Sequence, residues 1–268
     1  MPDILKDGAN FIPNVQKQKD FVQNQYLYGR DNNVYWAVVD PIKYPLYVWQ
    51  KAGAGGAIAK FAMNYIESAH KLGAIVYTNG PQMELAVGTE PFGPVHGDLN
   101  KIDDAGATHV DKLLFLFGRK KQTGGKVKFS DYVITSCDNT KNSKIDISPY
   151  AEVITMLVPL IEKKKAFSAK DTGTTSNYNE AFRDLLNSEM LAAWALVGPP
   201  ICDGLIIALG CNAGNQFQQI VDALVAVGVD AAVGMDGHTS VMIGERANSW
   251  IDPVAAKQAW QKYGFYCI

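Results

Sequence analysis

Charge of one sign is what this sequence most plainly lacks: 25 Lys and Arg stand against 27 Asp and Glu, for a formal net charge of −2. No field of that size argues for nucleic acid or an anionic membrane surface as a partner. Cysteine is scarce. The four present, Cys137, Cys202, Cys211 and Cys267, are too few and too scattered to staple a small disulfide-dense fold, and no CxxC pair suggests zinc or redox chemistry. Mostly free thiols are expected, with a disulfide left open, so neither the redox compartment nor the localisation can be read. Long apolar runs are missing as well. Met1 to Asp20 carries none of signal-peptide kind and no later segment reaches membrane-spanning length, so the chain reads as soluble, with no membrane partner and no visible address. Histidine is rare: there are four, none paired at the helical spacing of a zincin, so no cofactor is expected, with a metal ion kept as a minor alternative.

What is present is an ordinary globular composition, 47% hydrophobic and 19% charged over 268 residues, with no linker, repeat or low-complexity tract. One domain spanning 1–268 follows. The pattern predicts an α/β fold with an α+β tendency, a mixed β-sheet flanked by helices. Strands are expected at Asn33 to Asp40 and Tyr44 to Trp49, bounded by Pro41 and Pro45. A helix is expected over Ala57 to Lys71, where Ile58, Phe61, Ala62, Tyr65 and Ile66 recur at helical spacing, then a strand ending in Asn79-Gly80. Val110 to Cys137 reads as a hairpin, Pro149 to Ile161 as strand or helix, Ser168 to Asn177 as a loop, and Tyr178 to Leu191 as a helix. The last third is a β-α-β-β unit: GLIIALG, a helix over Asn215 to Val227, DAAVGMDG, and TSVMIG.

Three features could carry chemistry. Gly53, Gly55 and Gly56 lie between a strand and a helix, but Ile58 breaks the dinucleotide fingerprint and no Walker lysine follows, which leaves a flexible turn. His96 with Asp98, His109 with Asp111, and Asp236 with His238 are spaced two apart, so each pair projects to one side of an extended strand. Asp236-Gly237 follows directly on a buried apolar strand, where a carboxylate would emerge at the sheet edge. The bland alternative is a hairpin turn that uses Asp-Gly for its positive φ angles.

The run from Asp203 to Ile243 resembles the C-terminal part of the phosphodiester glycosidase family, the N-acetylglucosamine-1-phosphodiester α-N-acetylglucosaminidase-like enzymes. Leu224, Gly228, Asp230, Ala231, Asp236, Gly237 and Ser240 fall in register with its pattern. Upstream, Asn79-Gly80 is similar to the family's strand ending in Asn-Gly, and Pro91, Gly93 and Gly97 to its Pro-x-Gly segment. Two departures stand out. His238-Thr239 replaces small residues after Asp-Gly, and Trp194 to Gly198 takes the place of an Arg-Thr-x-x-Gly segment, losing an arginine that would hold an anion. Of Arg30, Arg119, Arg183 and Arg246, the substitutes favoured are Arg246 and Arg30.

The resemblance implies a hydrolase acting on a glycosidic or glycosyl-phosphodiester bond, with a carbohydrate or glycosyl phosphate as its small-molecule partner. Asp236 would serve as the carboxylate at the anomeric centre, Asn79 would orient sugar hydroxyls, and His96 or His238 would handle protons. Gly80, Gly237, Thr239, Ser240, Arg246, Arg30 and Glu84 are the expected binding residues, with Glu84 and Glu90 as reserve acids. Two other readings stay open: a non-catalytic glycan-binding or assembly protein on the same scaffold, with Tyr26, Tyr28 and Trp250 as stacking platforms, and a metal-dependent hydrolase built on the His/Asp pairs.

Overall fold

The computed structural model describes residues 1–50, 69, 72–81, 83–84, 90–106, 113–138, 145–167, 191–211, 217–237, 241–245, 248–251 and 263–268. The larger of its two main sheets runs, neighbour to neighbour, through β1 (Tyr26–Asp31), β2 (Val34–Val39), β14 (Leu205–Cys211), β13 (Leu191–Val197), β15 (Ala231–Gly234), β11 (Tyr150–Glu162), β7 (Val95–Gly97) and β8 (Ile102–Asp104). The hairpin of β9 (Leu113–Lys120) and β10 (Tyr132–Asp138) joins β11, and so does the short β12 (Lys165–Ala166). The smaller sheet is ordered β17 (Asn248–Ile251), β16 (Ile243–Glu245), β4 (Val76–Asn79), β18 (Tyr263–Cys267), β3 (Leu46–Gln50). A two-residue ladder pairs β5 (Met83–Glu84) with β6 (Glu90–Pro91).

Strand alternation sorts the side chains into layers. On β2, β13 and β14, Trp36, Val38, Ala193, Ala195, Ile207 and Leu209 point outward, where α1 (Phe11–Lys17), α2 (Lys19–Asn24) and α3 (Phe217–Val227) cover them with Phe11, Ile12, Phe21, Ile220 and Leu224. Val39, Trp194, Leu196, Ile206 and Ala208 point the other way and pack against Leu46, Val48, Val76, Ile243, Phe265 and Cys267 of the smaller sheet. On that sheet's far face Trp49, Tyr77 and Tyr266 gather around Ala69, a helical residue.

The fold is therefore mostly β, α+β in kind, and the expected mixed sheet is corrected. Every described strand pair is antiparallel. The reason is β13. Its residues, Leu191–Val197, went unrecognised as a strand, yet β13 lies between β14 and β15 and pairs antiparallel with each. The β14–α3–β15 crossover thus spans an intervening strand, so β14 and β15 run the same way without touching. Pro149 to Ile161 resolves as strand, since β11 uses both faces in buried layers. The hairpin of β9 and β10 and the helix α3 are found where periodicity put them. All four cysteines are free thiols. No described helix is long and apolar enough to cross a membrane. The expected helix over Ala57 to Lys71 falls outside the described residues except at Ala69. Gly53, Gly55 and Gly56 and the loop from Ser168 lie outside them altogether, and of the helix expected over Tyr178 to Leu191 only Leu191 is described, where it opens a strand rather than closing a helix.

Candidate functional site

The two turns singled out in the sequence meet. β4 ends at Asn79 in the smaller sheet and β15 ends just before Asp236 in the larger one, and a closed set of hydrogen bonds joins them. Asn79 Nδ2 donates to the Asp236 carbonyl oxygen at 2.8 Å, and the Asp236 N–H donates to the Gly80 carbonyl at 3.0 Å. Asn79 Oδ1 accepts the Met242 N–H at 2.9 Å, while the Asn79 N–H donates to the Met242 carbonyl at 3.2 Å. A fully buried amide leaves no donor or acceptor to water, so each such bond removes a desolvation penalty as well as adding an attraction. Asn79 is 0% exposed. It ties the chain entering the site from β4 to the chain arriving from β15 and to the segment leading into β16.

Glycine is required beside it. A Cβ at Gly80 would lie 2.2 Å from the Tyr263 carbonyl oxygen, inside any permissible contact. Behind the turn, Trp194 Nε1 donates to Thr78 Oγ1 at 2.8 Å, and the Thr78 hydroxyl donates to the Asn79 carbonyl at 2.9 Å. The Tyr263 hydroxyl donates to Asp104 Oδ2, whose other oxygen accepts the Gly106 N–H at 3.0 Å. Burial, and then the bond to Asp104, push the Tyr263 phenol well above its ordinary range.

Asp236-Gly237 is not a hairpin turn. β15 belongs to the larger sheet and β16 to the smaller, so the chain here passes from one sheet to the other. The half-buried Asp236 stands at that crossing, with Gly237 buried after it. The bland reading of Asp-Gly as a hairpin loop is thereby removed. His238, Thr239, Ser240 and Arg246 lie outside the described residues, as do His109, Asp111 and Arg183. Glu84 and Glu90 are opposed across the β5–β6 ladder, and their side chains are not among those described.

The remaining expected site residues are placed elsewhere. His96 sits on β7 between Val153 and Asp103 and lines a cleft of about 450 Å³ with Asp103, Lys121 and Asp146. Its Nε2 lies 2.9 Å from Asp98 Oδ1, as the spacing of two suggested, and its Nδ1 3.9 Å from Asp103. No described contact joins it to Asn79 or Asp236. Arg30 is on β1 at the edge of the larger sheet, where its Nε donates to the Asn32 carbonyl at 2.7 Å and its guanidinium lies over Tyr35. Arg119 is buried against Glu152 at 3.7 Å and donates to the Leu46 carbonyl at 3.2 Å, so its fork is committed inside the protein. Trp194, at the position where the resemblance calls for an arginine, is fully buried between the sheets. Among the described residues no group of three or more His, Cys, Asp or Glu is placed to hold a metal ion.

Sequence reasoning missed Thr78, Trp194, Tyr263 and Asp104 as supports of the junction. Only Trp194 offered a signal, a large aromatic in an alanine-rich apolar run; the other contacts depend on sheet topology that no local pattern encodes.

No family model matches the chain, and no curated protein matches it. Solved structures do. The catalytic domain of zebrafish N-acetylglucosamine-1-phosphodiester α-N-acetylglucosaminidase, auto-inhibited by its pro-peptide, aligns with a TM-score of 0.60 at 15% identity, over 91% of this chain and 81% of that one. A hypothetical protein from Synechocystis aligns with a TM-score of 0.52 at 11% identity, over 90% of this chain and 61% of that one. At such identities the likeness is one of fold. The chain has a phosphodiester glycosidase-like fold.

Proposed function

We propose that the protein is a hydrolase of glycosidic or glycosyl-phosphodiester bonds with Asp236 as its working carboxylate. The observation that carries this reading is the Asn79–Asp236 bond. It fixes a half-buried carboxylate-bearing residue at the crossing between two sheets, on a fold shared with a glycosidase catalytic domain. Fold alone would not suffice, because one scaffold hosts many chemistries.

In the proposed reaction water attacks the anomeric carbon as the bond to the leaving oxygen breaks, and the bonding electrons depart with that oxygen. The Asp236 carboxylate stabilises the positive charge that grows at the anomeric centre. A phosphate leaving group carries its electrons without a proton; a sugar alcohol does not. The water's proton passes to a base, a role we assign to His238, and from its imidazolium to the departing oxygen where that oxygen belongs to a sugar alcohol. His96 is not retained in that role, because its ring is engaged with Asp98 in a different cleft. Asn79 acts as a positioning residue, since its amide is occupied by protein partners rather than turned toward sugar hydroxyls.

The test is turnover of glycosyl phosphodiesters and aryl glycosides by the parent and by Asp236→Asn, with and without chelator. Release of sugar by the parent alone is expected, unaffected by chelator; equal turnover by both proteins would remove Asp236 from the site. One observation favours a second reading. Trp194 buried in place of an anion-holding arginine fits a scaffold that binds glycans without cleaving them, and saturable glycan binding with no turnover on the whole panel would select it.

A further inference from the structure

We propose that a cleft beside the turn between β11 and β12, separate from the Asn79–Asp236 junction, is a binding site for a small organic anion with an apolar body, seated by Lys163. The cleft encloses about 560 Å³, within the range of pockets that hold small molecules, about 300–1,000 Å³. Phe129, Tyr132, Val133, Leu196 and Ala231 supply an aromatic and aliphatic floor, and Lys163 and Lys164 stand at its rim.

The turn that carries the lysines is the second observation. Glu162 pairs with Lys165, so Lys163 and Lys164 are the two central residues of a hairpin loop. Both adopt left-handed backbone, with φ of 51° and 67°. A two-residue loop of this hand favours Asn-Gly, because a side chain with a full Cβ crowds its own carbonyl there. The chain carries lysine at both positions instead. A local rule broken twice, at the point where the side chains reach a cleft, is the pattern expected of a ligand clamp rather than of a turn selected for its geometry.

The charges around the cleft single out one lysine. Lys164 Nζ lies 3.5 Å from Asp230 Oδ1, and Asp230 Oδ2 accepts the Gly198 N–H at 2.8 Å. Glu162 faces Lys165 across the hairpin ladder. Lys163 makes no ion pair among the described residues, and with Lys164 set against Asp230 and Lys165 opposite Glu162, which also lines the cleft, it is the cation in excess at the turn. That floor is preformed. Phe129 fits so closely over Gly198 and Gly204 that a Cβ on either would lie 2.8 and 2.2 Å from its ring, and the Tyr132 hydroxyl is fixed by donating to the Pro41 carbonyl at 2.8 Å. An aryl or alkyl carboxylate, sulfonate or phosphate monoester meets both demands, its body on Phe129 and Leu196 and its anion on Lys163.

The test is calorimetric titration with 2-naphthalenesulfonate, against neutral 2-naphthol as control, of the parent, of Lys163→Asn, which keeps the Lys164–Asp230 pair and whose unchanged affinity would overturn the assignment to Lys163, and of the Lys163→Asn/Lys164→Gly variant. That variant restores the favoured turn, so it is expected to melt at or above the parent's temperature while binding the sulfonate at least ten-fold more weakly. The parent is expected to bind one sulfonate and to prefer it to the naphthol, and Asp236→Asn to bind as the parent does, which keeps the result independent of any turnover. Equal affinity of parent and Asn-Gly variant, equal affinity for naphthol and sulfonate, or no binding to the parent would each overturn the proposal.

Discussion

The carbonyl of Tyr263 presses on Gly80 so closely that the two backbones exclude any side chain between them. β18 and β4 are neighbours at this point, with Gly264 opposite Asn79, so a methyl group at position 80 would have to displace a central strand of the smaller sheet. Gly80→Ala is expected to cost about 2–3 kcal/mol, at the upper end of overpacking in a close-packed interior. Urea unfolding of the purified variant measures it, and a variant as stable as the parent would show that β18 can shift freely.

Asn79→Ala removes the side-chain bonds that hold the Asp236 carbonyl and the Met242 N–H, which lose their buried partner, while the backbone bond from the Asn79 N–H to the Met242 carbonyl is kept. A loss of about 2–4 kcal/mol is expected from two orphaned groups. At acid pH, where its carboxyl is protonated, Asn79→Asp keeps the acceptor for Met242 without burying a charge, so it should fall between the parent and Asn79→Ala. If the alanine and aspartate variants unfold together, the contact to Met242 contributes nothing.

Glu152 gives the fold a dependence on pH. Its carboxylate is fully buried and accepts the Val48 N–H at 2.7 Å and the Leu99 N–H at 3.3 Å, with Arg119 at 3.7 Å and Asp98 nearby. Burial outweighs these partners and raises its pKa from 4.5 to about 7. The folded state then holds the proton more tightly than the unfolded chain, so the contribution is complete below the unfolded value and is lost as pH rises through about 7. Asp31 behaves in the same direction, raised from 3.8 to about 6 chiefly by burial. The parent should therefore lose stability across this window, and Glu152→Gln should lose less, by about 2–3 kcal/mol between acid and mildly alkaline pH. Parallel unfolding curves for the two proteins at each pH would contradict this.

At position 194 the prediction is a contrast. Trp194→Phe keeps most of the ring volume and deletes the donor to Thr78, at an expected cost of about 1–2 kcal/mol. Trp194→Arg would place a cation between the sheets with no partner, which is far more expensive. It is expected to yield no folded protein by circular dichroism. A well-folded arginine variant would show that the position is less dry than its contacts imply.

Local chemistry announced some of this architecture and was silent on the rest. Val34–Val39, Leu205–Cys211 and Phe217–Val227 carry their own punctuation in proline, glycine and periodicity, and each forms where its pattern ends. Asn79-Gly80 and Asp236-Gly237 were visible as turns after apolar strands, and they prove to be bonded to each other. β13 escaped notice because LAAWALV alternates only between small and large apolar residues, a pattern a helix would also satisfy. Its position between β14 and β15 turned an expected mixed sheet into an antiparallel one. His96 enters the expected site through its spacing from Asp98 and Arg30 as an arginine in a polar stretch, and only their strands, β7 and β1, decide which surface they occupy.

β18 lies between β3 and β4, pairing Cys267 with both Leu46 and Val76. The smaller sheet thus has its middle supplied by residues made long after its flanks. During synthesis β3 and β4 must wait with unpaired edges until β18 has emerged, a delay that favours slow closure and exposes those edges to chaperones or to other chains. The junction at Gly80, backed by Tyr263, is accordingly among the last parts of the molecule to be assembled. A nascent chain halted before Tyr263 would carry Asn79 and Asp236 with no wall behind them.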